Sequence, residues 1–245
     1  MFDGIAAVYG NGEVTQLTIV AWSLHSAFDL SFRNIASDLD LQLKRLSYVA
    51  TLEFYNTSIT AITPDLFPGD FVVHNGIEFR LTTLINISLP SVMTFGIINI
   101  FENPLLENVF LPYYEEDRPW GPTGPSLNIG ENWYGLIVTI MSHELQDATI
   151  SGCSNFSAPA LLFSGSLTFE NNSLRTLELP KWEHTESSSG ITIESNPLLA
   201  GVFLPRLLSL GFLEAKNNPL LEEISIPLLE TVVQRLDVIG GHFSR

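Results

Sequence analysis

A recurring asparagine constrains the fold of this chain more than any other feature of its sequence. Successive members are separated by 23, 22, 19, 28, 29, 23, 16, 25, 22 and 23 residues, and Gly241 takes the last place. Self-similarity at a period of 20–29 residues is typical of solenoids, in which each turn buries its apolar face against its neighbours. The sequence therefore predicts a single repeat solenoid over residues 1–245, with about ten turns of about 23 residues. The asparagines are Asn11, Asn34, Asn56, Asn75, Asn103, Asn132, Asn155, Asn171, Asn196 and Asn218.

The best-preserved units place apolar residues at fixed offsets from the asparagine. Around Asn196, from Ile191 to Pro205, they lie at −5, −3, +3, +6 and +8, and a proline follows at +9. The same pattern surrounds Asn103, from Ile98 to Pro112. Apolar pairs with period 2 indicate short strands with one buried face, and the unit leaves no space for a regular helix. We therefore expect an all-β turn of two or three short strands.

Stacked turns would bring equivalent asparagines to the spacing of neighbouring strands, about 4.8 Å. Their amides could then bond to one another or to the backbone along the axis, which favours a scaffold role over ligand binding. Units such as that of Asn56 are one residue shorter before the asparagine, as a bulge at a strand end would produce. The predicted asparagine ladder comprises Asn103, Asn132, Asn171, Asn196 and Asn218.

The composition excludes several classes of function. Acidic residues outnumber basic ones 27 to 11, for a net charge of −16, which disfavours nucleic acid and anionic membrane surfaces as partners. The five histidines lack the spacing of a metal site, and neither a metal nor a cofactor is predicted. The single cysteine, Cys153, is interpreted as a small buried hydrophobe, and no apolar stretch is long enough to span a membrane.

Two phrases of the sequence resemble receptor L-domain repeats. They are Ile-Thr-Ile-Glu-Ser-Asn-Pro-Leu-Leu at 191–199 and Leu-Glu-Ala-Lys-Asn-Asn-Pro-Leu-Leu at 213–221. The resemblance is most specific over 96–112 and 165–241, and is closest to fungal GPI-anchored cell-wall organisation proteins, including the sporulation-specific cell-wall type. It implies a right-handed β-helix related to the leucine-rich repeat, carried by secreted glycoproteins. It also implies protein binding and a location at the cell surface or in the cell wall.

The chain departs from that family at both ends. No signal peptide, flanking cysteines or hydrophobic anchor tail are visible, and the repeat begins and stops without polar terminal caps. Uncapped solenoid ends present apolar side chains and unpaired strands. We therefore expect either a fragment or truncated gene model of a longer secreted protein, or end-to-end association through these ends.

Two segments are predicted to be loop insertions, at 113–126 and 181–190. Both follow a proline at the same phase of the repeat and are expected to project from one edge of the solenoid. Each contains a tryptophan beside acids, a combination that can stack and hydrogen-bond a sugar or anchor a protein. Alternatively, the tryptophans fold back over apolar turns. The candidate binding residues are Tyr113, Tyr114, Glu115, Glu116, Asp117, Trp120 and Trp182.

Four Asn-X-Ser/Thr sequons are candidate glycosylation sites. Asn86 and Asn155 are the better candidates. Asn56 and Asn171 stand at predicted ladder positions, where a buried amide could not carry a glycan.

These observations favour a non-enzymatic repeat protein of a cell surface or wall that recognises a protein or a glycan through its edge loops. A purely structural wall component without a discrete ligand is the rival hypothesis. The enzymatic alternative is a β-helical polysaccharide hydrolase or lyase, which would need a pair of carboxylates on the solenoid face.

Overall fold

The computed structural model describes residues 5–9, 16–20, 24–36, 38–43, 45–63, 66–67, 71–89, 93–94, 96–111, 124–132 and 135–240. These residues form stacked coils of short parallel strands, and no α-helix occurs among them. The predicted all-β solenoid is therefore confirmed, while the prediction of ten turns is approximate. The strands are β1 (Ile5–Tyr9), β2 (Gln16–Val20), β3 (Ser26–Ile35), β4 (Asp38–Gln42), β5 (Tyr48–Thr57), β6 (Ala61–Ile62), β7 (Val72–Arg80), β8 (Asn86–Ser88), β9 (Met93–Thr94), β10 (Ile97–Phe101), β11 (Asn108–Leu111), β12 (Ser126–Gly130), β13 (Leu136–Ile140), β14 (Glu144–Leu145), β15 (Ala148–Ser151), β16 (Cys153–Ser157), β17 (Phe163–Ser164), β18 (Leu167–Glu170), β19 (Thr176–Glu178), β20 (His184–Thr185), β21 (Gly190–Glu194), β22 (Gly201–Phe203), β23 (Ser209–Lys216), β24 (Glu223–Ser225) and β25 (Thr231–Ile239).

The longest ladder, which we call the main sheet, receives one strand from each turn. Its order is β1-β3-β5-β7-β10-β12-β15-β18-β21-β23, and β25 pairs with the far side of β23. All of these pairs are parallel, as they must be when the chain returns to the same side after each turn. The main sheet therefore presents equivalent residues of successive turns in straight columns.

Two further sides close each turn. The second side contains the ladders β2-β4, β6-β8-β11-β13-β16 and β19-β22-β24. The third side is short: β14, β17 and β20 pair in sequence, and β20 then pairs with the first residue of β23. A turn with three sides agrees with the two or three short strands predicted for each unit.

The corner between the main sheet and the second side is made by a residue with positive φ. Such a left-handed residue turns the chain sharply, and asparagine and glycine adopt it at least cost. Asparagine or glycine occupies it in six of the ten recorded corners, whereas Leu81, Glu102, Glu131 and Ser195 occupy the others. The ten residues are Asn34, Asn56, Leu81, Glu102, Glu131, Gly152, Asn171, Ser195, Asn217 and Gly240.

At the nine corners whose next residue is described, that residue is buried, and the asparagine ladder forms at this position. The amide of Asn196 shows the arrangement: its Nδ2 donates to Phe169 O at 3.0 Å, and its Oδ1 accepts the N–H of Asn172 at 2.9 Å. Asn218 binds Ile193 O and the N–H of Asn196 in the same way. Each amide thus bonds to a carbonyl and an N–H of the preceding turn. Asn103, Asn132, Asn172, Asn196 and Asn218 are buried in this ladder.

The predicted ladder position of Asn171 is corrected to Asn172. Asn171 is exposed with a φ of 53°, because it makes the corner itself, and the next residue turns inward. Asn34 and Asn56 are corner residues for the same reason, so no bulge explains their short units. Asn75 lies instead where β5 and β7 shift register, and Asn155 is exposed on β16. The recurring asparagine is therefore a mixture of corner, ladder and strand positions.

Columns of apolar side chains fill the interior. The apolar residues at the predicted offsets from Asn103 are buried: Ile98, Ile100, Leu106 and Val109. In the first turns, phenylalanine stacks on phenylalanine from turn to turn. The ring centroids of Phe32 and Phe54 are 5.1 Å apart, and those of Phe54 and Phe79 are 5.3 Å apart. Burial of these columns supplies the main stabilisation of the stack.

We expect Leu81→Asn to stabilise the protein by about 1 kcal/mol, because the left-handed conformation costs a leucine on the order of 1–2 kcal/mol. Leu81 has a φ of 53° and is 42% exposed, so little burial is lost. Leu105→Asn is a matched control, since Leu105 is 54% exposed and has no positive φ. Urea unfolding curves of the three proteins provide the measurement. A destabilised Leu81→Asn variant would contradict the strain assigned to this corner.

Candidate functional site

The outward face of the main sheet carries one column of neutral polar side chains in its central turns. The register places the outward residues of β10, β12, β15, β18 and β21 in one column, in which every member is a neutral polar residue. All five are half-buried between their neighbours. Together with Phe101, from the adjacent outward column, they define the neutral patch: Asn99, Phe101, Asn128, Thr149, Thr168 and Thr192.

Within the patch, hydrogen-bonding groups and an aromatic ring lie side by side. Asn128 Nδ2 donates to Asn99 Oδ1 at 3.0 Å, which aligns the two amides along the solenoid axis. The ring of Phe101 lies beside Gly130 of the next turn, where an added Cβ would approach Phe101 Cε1 to 3.0 Å. Glycine at this position thus leaves the ring room to lie along the sheet. Amides, hydroxyls and a ring face suit a neutral, hydroxyl-rich ligand.

Charged residues flank the neutral patch at both ends of the main sheet, and Glu170 and Glu194 lie directly beside its Thr168 and Thr192. Towards β3, Arg33 Nη2 pairs with Glu53, and Arg80 binds both carboxylate oxygens of Glu102 at 2.8 and 3.0 Å. The hydrogen bond from Arg80 lowers the pKa of Glu102. Towards β25, Lys216 and Arg235 both bind Glu214 and lower its pKa, the hydrogen bond from Lys216 most strongly. Charge at these ends is therefore largely compensated by ion pairs within the sheet.

The predicted edge-loop site is only partly within the described residues. Tyr113, Tyr114, Glu115, Glu116, Asp117 and Trp120 lie outside them. Trp182 is described and is completely buried in the hydrophobic core, with no hydrogen-bond partner for its indole N–H. Its proposed role as an exposed binding aromatic is wrong, because the side chain packs inward and covers apolar turns.

Residues 181–190 also form no projecting insertion. His184–Thr185 is a strand of the third side, paired with Phe163–Ser164 before it and with Ser209 after it. The turn around Ser187 is exposed, as are Lys181 and His184, whereas Ser189 and Gly190 are buried. The predicted insertion is thus one regular side of the turn. The segment 113–126 is described only from Gly124 onward, where it leads into β12.

All four sequon asparagines are exposed. Asn86 and Asn155 occupy the same outward column of the second side, and Asn86 Oδ1 accepts a bond from Asn108 Nδ2 at 2.8 Å. Asn56 and Asn171 are exposed corner residues, which corrects the expectation that a buried ladder position would exclude a glycan. None of the four belongs to the neutral patch, although Asn171 directly follows the patch strand β18.

The remaining candidate groups show no feature of a reactive site. Cys153 is buried, and burial raises the pKa of its thiol to about 12, so the thiolate is scarce at neutral pH. In the described part of the chain, histidine, cysteine, aspartate and glutamate form no group of three or more that could hold a metal ion. Nor do these ranges contain a helix of the length and hydrophobicity that crossing a membrane requires.

Comparison with protein-family models, with curated proteins and with solved structures gives no match to this chain.

Proposed function

We propose that this chain is a non-enzymatic recognition solenoid of a cell surface or cell wall, and that its main sheet binds a neutral glycan. The neutral patch carries this proposal, because five consecutive turns present uncharged amides and hydroxyls on a protein whose net charge is −16. An extended glycan lying along the axis would meet a hydrogen-bonding group at every turn. Turns are about 4.8 Å apart, the separation of neighbouring strands.

Two sequence features support the same function. The resemblance to receptor L-domain repeats favours recognition at a cell surface or in a cell wall. The segment 113–123, with its two tyrosines, its acids and Trp120, connects β11 to β12, and β12 carries Asn128 of the patch. We propose that this segment adds contacts to a ligand on the main sheet. Protein binding through the same surface is the alternative ligand class.

The proposal predicts that wild-type protein binds at least one neutral oligosaccharide on a glycan array. Thr168→Arg should weaken that binding at least tenfold, on the order of 1.4 kcal/mol or more, because a long charged side chain would then lie within the patch. Thr139→Arg is the matched control: Thr139 is a half-buried, outward threonine of β13 on the second side. Calorimetric titration with the tightest oligosaccharide from the array measures both variants.

Two outcomes would contradict the proposal. Either no neutral glycan binds, or Thr168→Arg and Thr139→Arg bind with the same affinity. A protein ligand that competes at Thr168 without any glycan binding would assign the patch to the alternative ligand class.

One observation favours the enzymatic alternative as a second candidate. Glu170 and Glu194 are register partners on β18 and β21, directly beside Thr168 and Thr192. Carboxylates on neighbouring strands come within the roughly 5 Å used by retaining glycosidases. If the bound oligosaccharide is cleaved and Glu170→Gln abolishes the release of reducing ends, the protein is a hydrolase rather than a non-enzymatic binder.

A further inference from the structure

A concave site lies on the second side of the solenoid, away from the neutral patch. It is a pocket of about 490 Å³ between the strands β19, β22 and β24, within the range of small-ligand sites. Its lining combines one aromatic ring with two carboxylates and small residues. The lining residues are Thr176, Ala200, Gly201, Phe203, Glu222 and Glu223.

The floor of this pocket is formed by Phe203 and Gly201. An added Cβ at Gly201 would come within 2.7 Å of Phe203 Cε2, so the ring lies directly over the glycine. Because Phe203 is half-buried, part of the ring remains open to a ligand. A half-open aromatic ring lying over backbone is a platform on which a flat group can stack.

Both strands that flank Phe203 carry a carboxylate near it. The register places Glu178 opposite Phe203 on one side and Ser225 on the other, and Glu223 is opposite Gly201. Glu178, Glu222 and Glu223 are all exposed. Within the part of the chain that the structure describes, no lysine, arginine or histidine forms an ion pair with them, although Glu53, Glu102, Glu183 and Glu214 are each paired with a basic residue. The three carboxylates thus form no ion pair among the described residues, although the basic Arg175 lies next to the lining residue Thr176.

The same chain shows which group fits such a combination. On β23, Phe212 and Glu214 lie two residues apart, and Arg235 of the next strand contacts both side chains. The guanidinium carbon of Arg235 is 5.6 Å from the centroid of the Phe212 ring, and its Nη2 binds the carboxylate of Glu214. Stacking and charge pairing thus act on one guanidinium. Around Phe203 the ring and the carboxylates are present, whereas the residue opposite the ring on β24 is Ser225.

We infer that the Phe203 pocket binds the guanidinium of an arginine side chain supplied by a protein partner. The plane of the guanidinium would stack on Phe203, and its N–H groups would donate to Glu223 and to Glu178 or Glu222. Arginine fits better than lysine because it combines a flat, stackable face with a fork of donors. This site is independent of the glycan surface, since it uses strands of a different sheet.

The test is a titration of ¹⁵N-labelled protein with the peptide acetyl-Gly-Arg-Gly-amide, followed by the amide shifts of residues 200–203 and 222–224. We expect saturable shifts confined to these residues, and at least tenfold weaker binding of the same peptide with citrulline, the neutral isostere of arginine. Phe203→Leu and Glu223→Gln should each weaken binding at least fivefold. Phe110→Leu and Glu107→Gln are matched controls from β11 and the turn before it, and should leave binding unchanged.

Several results would overturn the inference. Equal binding of the citrulline peptide would exclude charge recognition, and equal binding of a lysine peptide would exclude guanidinium recognition. Stronger shifts with a glucosamine oligomer would assign the pocket to an amino sugar. Glu223→Gln removes one charge and leaves the ring in place, so it remains informative if Phe203→Leu proves unstable. Thr168→Arg should bind the arginine peptide normally, which separates failure of this inference from failure of the glycan proposal.

Discussion

Asn172→Ala is expected to destabilise the solenoid by about 2–6 kcal/mol, because a buried polar group left without a partner costs about 1–3 kcal/mol and this change creates two of them. Asn172 Nδ2 donates to Ile150 O, and Asn172 Oδ1 accepts the N–H of Cys153, both at 2.9 Å. The side chain is completely buried, so water cannot replace either bond without opening the corner. Urea unfolding followed by circular dichroism measures the loss.

The adjacent residue provides the matched control. Asn171 is exposed with a φ of 53°, a conformation that glycine adopts without strain, so Asn171→Gly should change the stability by less than about 1 kcal/mol. Equal losses of stability in the two variants would contradict the ladder role of Asn172. A larger loss with Asn171→Gly would show that Asn171 is the ladder residue and that the corner is wrongly assigned. Repeat proteins can unfold in parts, so the comparison uses the transition that contains these turns.

Phe54→Ala is expected to cost about 3–5 kcal/mol, the usual range for removing a fully buried phenylalanine. Phe54 is the middle of three stacked rings, and its loss leaves Phe32 and Phe79 facing a cavity across one turn. The backbone hydrogen bonds of three consecutive main-sheet strands hold the rings at their spacing, so the cavity cannot close easily. Thermal unfolding would show the effect as a lowered Tm.

The neighbouring Tyr55 provides a control for the contribution of the buried phenylalanine column to stability. It is an outward residue of the same strand, opposite Arg33 and Arg80, and is only half-buried. Tyr55→Ala should therefore cost less than about 1 kcal/mol. A loss as large as that of Phe54→Ala would show that the stacked phenylalanines do not dominate the stability of these turns.

The sequence predicted the fold class because its signal is local and repeated. Apolar and polar residues alternate over short segments, as at Ile98 and Ile100, and this alternation recurs at a nearly constant spacing in the sequence. Each turn therefore confirms the pattern independently of its neighbours. The all-β solenoid and the buried offsets of its best-preserved units could be read from the chain alone.

The role of individual asparagines could not be read in this way. Asparagine suits both the left-handed corner and the inward ladder position one residue later, for different physical reasons. In Asn171-Asn172 and Asn217-Asn218 both positions carry it, so spacing alone cannot separate them. Only the backbone angle and the hydrogen-bond partners identify Asn172 as the ladder residue.

Trp182 was assigned to a loop because residues 181–190 follow Pro180, where the last strand of the repeat unit was expected to end. The additional residues actually form a side of the turn, and strand pairing at His184 cannot be inferred from a segment rich in serine, glutamate and glycine. A tryptophan next to a proline, a lysine and a glutamate looks like a surface residue in sequence. The structure instead buries it in the hydrophobic core, just before the strand of the third side begins.

The neutral patch was missed because it depends on register between turns. Its column lies four residues before the inward position of each corner: Asn99 before Asn103, Thr149 before Cys153, and Thr168 before Asn172. Once the corners are assigned correctly, the sequence of five neutral polar residues in five consecutive turns becomes visible. In two of those turns, the offsets were instead counted from Asn155 and Asn171. Both turns were therefore displaced relative to the others, and the neutral column could not be recognised.

The most direct measurement of the central claim is a crystal structure of the protein with the tightest neutral oligosaccharide found on the array. The proposal predicts that the sugar lies along the main sheet, with hydrogen bonds to Asn128 and Thr149 and a sugar ring against Phe101. An oligosaccharide bound instead in the Phe203 pocket or on another side of the solenoid, with the main sheet bare, would contradict the account.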